Sequence, residues 1–202
     1  MSAMGAVKQM PGEPAMKLRI RRAGEKDLPL IVRYNCLMAS ETEGITLNVD
    51  TVSTGVRSVL EEPTRGFYLI AEAQPVITQP AVEKVYETDG TFWAAEGTPS
   101  SPPPASPTPV GQVMVTYEWS DWRCGDFWWI QSVYVVPDWR RKGVFRALFD
   151  HVMEESEKRV DVVGLRLYTA TTNDRAQAAY RQLGMDGDRY VVYELEKEES
   201  RG

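Results

Sequence analysis

The chain has 202 residues, of which 43% are hydrophobic and 26% are charged, as is ordinary for a globular domain with a sizeable core. Its formal net charge of −6 disfavours a general nucleic-acid-binding role, which usually needs a basic surface. Its 2 cysteines and 1 histidine exclude a disulfide framework and a two-histidine zinc site, so we expect no metal.

The two ends of the chain are polar or contain helix breakers. Residues 1–16 include Pro11 and Pro14 and are expected to form a disordered leader, and residues 197–202 form a charged tail. No apolar run approaches the roughly 18 residues needed to cross a bilayer. We therefore expect one domain over residues 17–196, in the cytoplasm and without a membrane partner.

Strands and helices are both predicted in the first part of the domain. Residues 17–22 alternate between polar and apolar side chains, which indicates a strand. Residues 27–38 carry Pro29 in the first turn of a helix, where proline is tolerated. A second helix is expected to begin near Asp50, because aspartate often caps helices. Residues 67–73 are apolar enough to form a strand within a sheet.

A proline-rich insertion follows at residues 74–109. It contains 8 of the 13 prolines of the chain. Such a segment buries little apolar surface, so we expect a long, partly disordered surface loop, with a short strand within residues 82–93. An alternative interpretation is a proline-rich ligand for an aromatic groove of another protein.

Strand and helix patterns alternate through the second half of the chain. Strands are expected at residues 111–119, 127–136, 163–168 and 189–195, and helices at residues 143–159 and 173–183. The whole pattern predicts an α+β fold. Its central sheet is mixed but mostly antiparallel, with about six to seven strands, and about four helices flank it.

A basic run, Arg140-Arg141-Lys142, and then Gly143 lie between a predicted strand and a predicted helix. Glycine lets the backbone approach a ligand, and the first amides of a helix are unpaired donors. These groups and the positive end of a helix suit a phosphate. Neither the Walker pattern nor GxGxxG is present. We therefore expect a phosphate-bearing cofactor, bound by another kind of loop.

A second group of candidate residues lies in the last predicted helix. Asn173 can cap that helix, and Tyr180 lies nearly two turns further on, so both side chains can face one groove. A tyrosine on the inner face of a helix needs a polar partner for its hydroxyl, and a cofactor thiol is one candidate.

These two segments, in this order, resemble the signature of the GNAT superfamily of acyl-CoA-dependent N-acyltransferases. The loop signature, Q/R-x-x-G-x-G/A after a strand that ends V-x-P, is matched by Val135, Pro137, Arg140 and Gly143. The later signature, N-x-x-A-x-x-x-Y-x-x-x-G-F/M, is matched by Asn173, Ala176, Tyr180, Gly184 and Met185. The match covers residues 127–195, and the order of elements fits the family from residue 17 onward.

The resemblance implies that acetyl-CoA is the cosubstrate, and it implies a role for each matched position. The backbone of Val133, Tyr134 and Val135 would pair with the pantetheine arm, which Asn173 would also contact. The pyrophosphate would lie against the loop and helix start, formed by Arg140, Arg141, Lys142, Gly143, Val144, Phe145 and Arg146. Tyr180 would be the general acid that reprotonates the leaving thiolate.

The chain departs from the family pattern at two positions. Phe145 stands where the family prefers glycine or alanine, and Trp129 stands at about the place where some members carry a catalytic glutamate. The general base would then be water or another carboxylate. The candidates are Glu118 on the partner strand and Glu41 or Glu43 after the first helix, which flanks the acceptor site in similar proteins.

Tryptophans are concentrated around the predicted hairpin, at Trp119, Trp122, Trp128 and Trp129. Some of them are expected in the core. We also consider the hypothesis that an exposed pair, such as Trp122 and Trp128, receives an apolar or cationic amine.

The sequence therefore predicts an N-acetyltransferase that moves an acetyl group from acetyl-CoA to a primary amine by direct attack, as a monomer or homodimer. One alternative is a non-catalytic acyl-CoA-binding or regulatory domain. Another is an adaptor that recruits partners through the proline-rich loop.

Overall fold

The computed structural model describes residues 16–75, 106–187 and 190–195. The expected leader up to residue 15, the expected short strand of the proline-rich insertion and the charged tail lie outside the described residues.

A five-stranded sheet forms the centre of the fold. Its strands are β1 (Met16–Arg22), β2 (Phe67–Pro75), β3 (Thr108–Ser120), β4 (Gly125–Val135) and β5 (Val162–Leu167). Their order in the sheet follows their order in the chain. The first four strands are antiparallel, and β5 is parallel to β4.

Four α-helices connect these strands. They are α1 (Leu28–Glu43), α2 (Val49–Glu61), α3 (Val144–Glu157) and α4 (Asp174–Gln182). Helices α1 and α2 join β1 to β2, and α4 follows β5. Helix α3 is the crossover that a parallel pair of strands requires, because a tight turn can join only antiparallel strands.

Local chemistry explains where α1 and α2 end and begin. Helix α1 continues one turn past its expected end, to Gly44, which adopts the left-handed conformation with φ 68° that suits a helix C-terminus. Helix α2 begins at Val49 because the Oδ1 atom of Asn48 accepts a hydrogen bond from the Thr51 N–H at 3.0 Å. The cap is therefore Asn48 and not Asp50.

Two hydrophobic cores lie on opposite faces of the sheet, because neighbouring residues of a strand point to opposite faces. On one face, α3 buries Leu148 and Val152 in the same cluster as Val113 of β3. On the other face, α1 and α2 form a second cluster in which Ile31 is packed with Ile70 of β2. Strand β2 is buried from Phe67 to Ala73 because helices cover both of its faces.

The sheet has five strands where the sequence predicts six to seven. Residues 190–195 contain no strand, and Tyr193 and Leu195 are 91% and 98% exposed. An alternating segment becomes a strand only when a neighbouring strand accepts and donates its backbone hydrogen bonds, and no described residue does so here. The regular structure also extends into the predicted insertion, since β2 ends at Pro75 and β3 begins at Thr108.

Two further kinds of site were sought in the described part of the chain. None of its helices is both long and apolar enough to cross a membrane. It also contains no group of three or more His, Cys, Asp or Glu side chains that would hold a metal ion.

Candidate active site

A cleft opens in the sheet where β4 separates from β5. The two strands pair only from Asp126 to Ile130 of β4, whereas β4 and β3 pair as far as Val135. A bulge marks the separation: Met114 lies opposite Ser132 but Val115 lies opposite Ile130, so Gln131 is an extra residue on β4. Beyond it, the β4 backbone groups that point away from β3 face the cleft without a partner strand in the described residues.

The segment that follows β4 has the backbone of an anion-binding loop. A short 3₁₀ turn (Pro137–Trp139) leads to two residues in the left-handed region, Arg141 with φ 66° and Gly143 with φ 85°. The first intrahelical hydrogen bond of α3 runs from the Ala147 N–H to the Gly143 carbonyl, at 3.0 Å. The preceding amides of the helix therefore have no intrahelical acceptor. A Cβ atom added at Gly143 would meet nothing within 4 Å, so the front of this loop is open.

The cations of the loop point in different directions. Arg141 is exposed, and the Lys142 Nζ atom lies 5.4 Å from the centre of the Trp139 ring. Arg146 pairs with Asp150 one turn along α3, with an Nε–Oδ1 distance of 2.7 Å. Arg141 and Lys142 are therefore available to screen an anion at the helix start.

Arg140 is turned toward α1 instead. Its Nε–H donates to the Val135 carbonyl at 2.9 Å, and another of its N–H groups donates to the Glu41 carboxylate. The Tyr134 hydroxyl donates to the other oxygen of that carboxylate at 3.0 Å. Arg140 first, and Tyr134 second, hold the pKa of Glu41 below its usual range. The structure thus places Glu41, one of the candidate bases, in a cluster with two residues that the sequence assigned to the cofactor.

The end of α1 is anchored to the sheet beside this cluster. The Tyr34 ring lies 5.0 Å from the Tyr134 ring, and the Tyr34 hydroxyl donates to the Pro109 carbonyl at 3.0 Å. These contacts join residues at least 75 positions apart, so no local pattern in the sequence could indicate them.

The two residues singled out on α4 lie beside the start of α3. The Asn173 Oδ1 atom accepts the Ala176 N–H at 3.1 Å, so the side chain caps the helix. The Tyr180 ring meets the edge of the Phe145 ring with their centres 5.8 Å apart, and burial raises the pKa of the Tyr180 hydroxyl. The large side chain of Phe145 thus bridges α3 and α4 rather than filling the front of the loop.

The other two predicted catalytic carboxylates lie elsewhere. Glu118 of β3 is paired with Arg166 of β5 and lies opposite Phe127, near the start of β4. Eight residues of strand, or about 26 Å, separate Phe127 from the end of β4 at Val135. Glu43 is exposed in the last turn of α1. The structure therefore does not bring Glu118 to the loop end of the site.

A partly exposed sheet surface borders the cleft on the side of α1 and α2. Thr116, Trp129 and Arg166 share this face by register. The Gln131 side chain donates to Thr116 at 2.8 Å, and the Trp129 ring lies 6.1 Å from the exposed Tyr168. The Trp129 indole N–H is buried without a hydrogen-bond partner in the described part of the chain. This surface therefore combines aromatic rings, hydrogen-bonding groups and charge.

The tryptophans of the hairpin divide between core and surface. Trp128 is buried against Phe67, with ring centres 5.0 Å apart, whereas Trp119 and Trp122 are 61% and 89% exposed. Trp122 lies in the hairpin turn. Trp122 and Trp128 therefore do not form the exposed pair of the amine-pocket hypothesis.

Comparison with known proteins identifies what the chain is similar to. The model of the Acetyltransferase (GNAT) family matches residues 57–185. The crystal structure of a possible acetyltransferase from Clostridium difficile 630 is 35% identical, with a TM-score of 0.68, and the match covers 89% of this chain and 97% of that chain. No curated protein matches the sequence significantly.

More distant structures share the fold. A ribosomal-protein-alanine N-acetyltransferase from Brucella melitensis biovar Abortus 2308 is 16% identical with a TM-score of 0.60, over 89% of this chain and 99% of that chain. An aminoglycoside N-acetyltransferase in complex with CoA is 14% identical with a TM-score of 0.60, over 94% of this chain and 99% of that chain. At these identities the likeness concerns the fold alone.

Proposed function

Because this chain belongs to the GNAT acetyltransferase family, we propose that it transfers the acetyl group of acetyl-CoA to a primary amine by direct attack. One observation carries the proposal: the edge of β4 that is free of β5 leads, through a short turn and the basic loop, to the open N-terminus of α3. An extended arm that ends in a pyrophosphate fits such a strand edge followed by such a helix start.

The cofactor half of the site is proposed as follows. The free edge of β4 at Val133, Tyr134 and Val135 pairs with the pantetheine arm, and the amides of residues 141–146 hold the pyrophosphate. Arg141 and Lys142 screen the charge of the pyrophosphate. Arg140 adds its positive charge from the side of the loop that faces α1. Asn173 uses its side-chain oxygen as the cap of α4, which leaves its amide N–H groups to contact the arm.

Tyr180 is proposed as the general acid. Acetyl-CoA supplies the acetyl group as an activated thioester. Burial raises the pKa of the Tyr180 hydroxyl, so at neutral pH this group carries the proton that a departing thiolate needs. Its contact with Phe145 holds the ring beside the helix that receives the pyrophosphate.

The acceptor amine is proposed to approach across the surface formed by Thr116, Trp129 and Arg166. The opposite face of the sheet is occupied by the core beneath α3. Glu43 is the better of the two predicted bases, since its carboxylate is exposed and has no ion-pair partner in the described residues, whereas Glu118 is paired with Arg166. Water is the alternative route for the proton of the amine.

A non-catalytic acyl-CoA-binding domain is the second candidate. The observation that favours it concerns the carboxylates. Arg140 holds the pKa of Glu41 below its usual range, which makes Glu41 a poor base, and Glu118 is engaged in an ion pair with Arg166.

Two measurements test the proposal and separate the candidates. Calorimetry with acetyl-CoA should show binding, and release of free thiol should identify an acceptor among candidate amines. The Tyr180→Phe variant should keep its affinity for acetyl-CoA and lose about 10²-fold or more in kcat. Absence of binding would contradict both candidates, while binding without thiol release for any amine would leave the non-catalytic one.

A further inference from the structure

We infer that Glu41 is a positioning residue for the cofactor loop, which it holds from the end of α1 through Arg140. The inference rests on the proposed function, because the position of the loop matters only if a pyrophosphate binds there. Glu41 lies in the last turn of α1, on a different element from every residue of the loop.

The loop has internal contacts that fix only its first part. The Arg140 backbone N–H donates to the Pro137 carbonyl at 3.1 Å, and the Arg140 Nε–H donates to the Val135 carbonyl at 2.9 Å. These bonds close the turn on the end of β4. Among the described residues, the side-chain bond that reaches this turn from another layer of the fold is that of Glu41.

The backbone after Arg140 needs such support. Arg141 has φ 66°, a left-handed conformation that is unfavourable for a residue other than glycine, and Gly143 has φ 85°. Residues held in sparsely populated conformations persist only where the surrounding structure determines them from several sides. Arg140 is the neighbour of Arg141, so the Glu41 bond acts one residue from the strained position.

The Glu41 side of the Glu41–Arg140 bond is held by further contacts. Glu41 accepts hydrogen bonds from Arg140 and from the Tyr134 hydroxyl, and the Tyr134 ring packs against Tyr34 of the same helix. The Tyr34 hydroxyl in turn donates to the Pro109 carbonyl of β3. Helix α1 therefore meets the free part of β4 and the loop at one cluster, defined by Tyr34, Glu41, Tyr134 and Arg140.

The ion pair in the cluster also distinguishes Arg140 from the other two cations of the loop. Glu41 pairs with the Arg140 guanidinium, which is turned toward α1, while Arg141 is exposed and the Lys142 Nζ atom lies over the Trp139 ring. Glu41 therefore need not touch the cofactor to affect its binding. Glu41 acts by fixing the positions of the backbone amides of the loop.

The test is Glu41→Gln, assayed by calorimetry with two probes: acetyl-CoA, and acetylpantetheine, which lacks the pyrophosphate. The variant should bind acetyl-CoA about three- to tenfold more weakly, the range expected for loss of a charged hydrogen bond that is partly exposed. Its affinity for acetylpantetheine should stay that of the wild type, because this probe ends before the loop. Glu62→Gln removes the same charge from an exposed pair with Arg65 and should change neither affinity.

A double-mutant cycle provides the second test. Glu41→Ala and Arg140→Ala should each weaken acetyl-CoA binding, and the double variant should be no weaker than the worse of the two, since both remove one interaction. An equal loss for both probes, or independent losses in the double variant, would overturn the inference. So would unchanged binding of acetyl-CoA by Glu41→Gln, with the proposed function intact. A wild-type protein that binds neither probe would overturn the proposed function as well.

Discussion

A buried ion cluster at Arg21 shows how single residues hold β1 to the start of the first helix. The guanidinium donates to both oxygens of Asp27, at 2.7 and 2.8 Å, and to Glu72 of β2 at 2.6 Å. Asp27 also accepts the Gly24 N–H at 2.9 Å. Asp27 and Glu72 are both buried, so the hydrogen bonds from Arg21 replace those that water would make with their carboxylate oxygens.

The first prediction concerns Asp27→Asn. The bond from Arg21 holds the pKa of the Asp27 carboxyl below its usual range, so the carboxylate stabilises the fold above the unfolded-state pKa of about 3.9. This contribution is lost as the pH falls through the lower pKa of the folded state. The substitution should therefore lower the free energy of unfolding by about 2–3 kcal/mol at pH 7, and by less below about pH 4.

Urea unfolding at several pH values would measure both effects. Glu62→Gln serves as the control, because the Glu62–Arg65 pair is exposed and should contribute no more than about 0.5 kcal/mol. A difference for Asp27→Asn that does not shrink at low pH would show that burial of the amide, not loss of the charge, is responsible.

At the scale of an element, substituting two different glycines is expected to change the free energy of unfolding in opposite directions. Gly55 lies inside α2 with a helical backbone, and a Cβ atom there would meet nothing within 4 Å. Gly143 precedes α3 with φ 85°, and a Cβ atom there would also meet nothing. Open space is thus common to both positions, and only the backbone conformation distinguishes them.

The second prediction follows from this contrast. Gly55→Ala should raise the free energy of unfolding by about 0.5–1 kcal/mol, because alanine loses less backbone entropy in a helix. Gly143→Ala should lower it by about 1 kcal/mol, because an alanine in the left-handed region is strained. Thermal unfolding of the two variants beside the wild type shows whether each substitution stabilises or destabilises the protein. Two changes in the same direction would contradict the backbone conformation assigned to Gly55 or to Gly143.

At the scale of the whole molecule, cofactor binding is linked to folding. A ligand that binds only the folded state at 100 times its Kd stabilises it by about 2.7 kcal/mol. For a chain of 202 residues we therefore expect acetyl-CoA to raise the Tm by about 5–10 °C. The Gly143→Glu variant should show no rise, since it places a carboxylate where the pyrophosphate is proposed to lie. A rise of equal size in that variant would mean that the loop is misassigned.

The sequence was a good guide to most elements, because their deciding interactions are local, although it placed the cap of α2 at Asp50 and not at Asn48. Periodicity predicted β1 to β5 and four helices, and the loop around Gly143 adopts the left-handed backbone that a glycine there suggests. The features that could not be predicted from the sequence depend on pairing between residues far apart in the chain. Residues 190–195 alternate like a strand but pair with no strand in the described part of the chain, and Glu41 contacts Arg140 across 99 positions.

The free edge of β4 has one more consequence, for self-association. An unpaired strand edge is a template on which another chain can add a strand. Here the exposed length is short, because the bulge at Gln131 bends one end of it and Pro137, which has no N–H to donate, follows the other. The bulge at which the cleft opens and the proline that follows the strand therefore also limit edge-to-edge aggregation of the protein with itself.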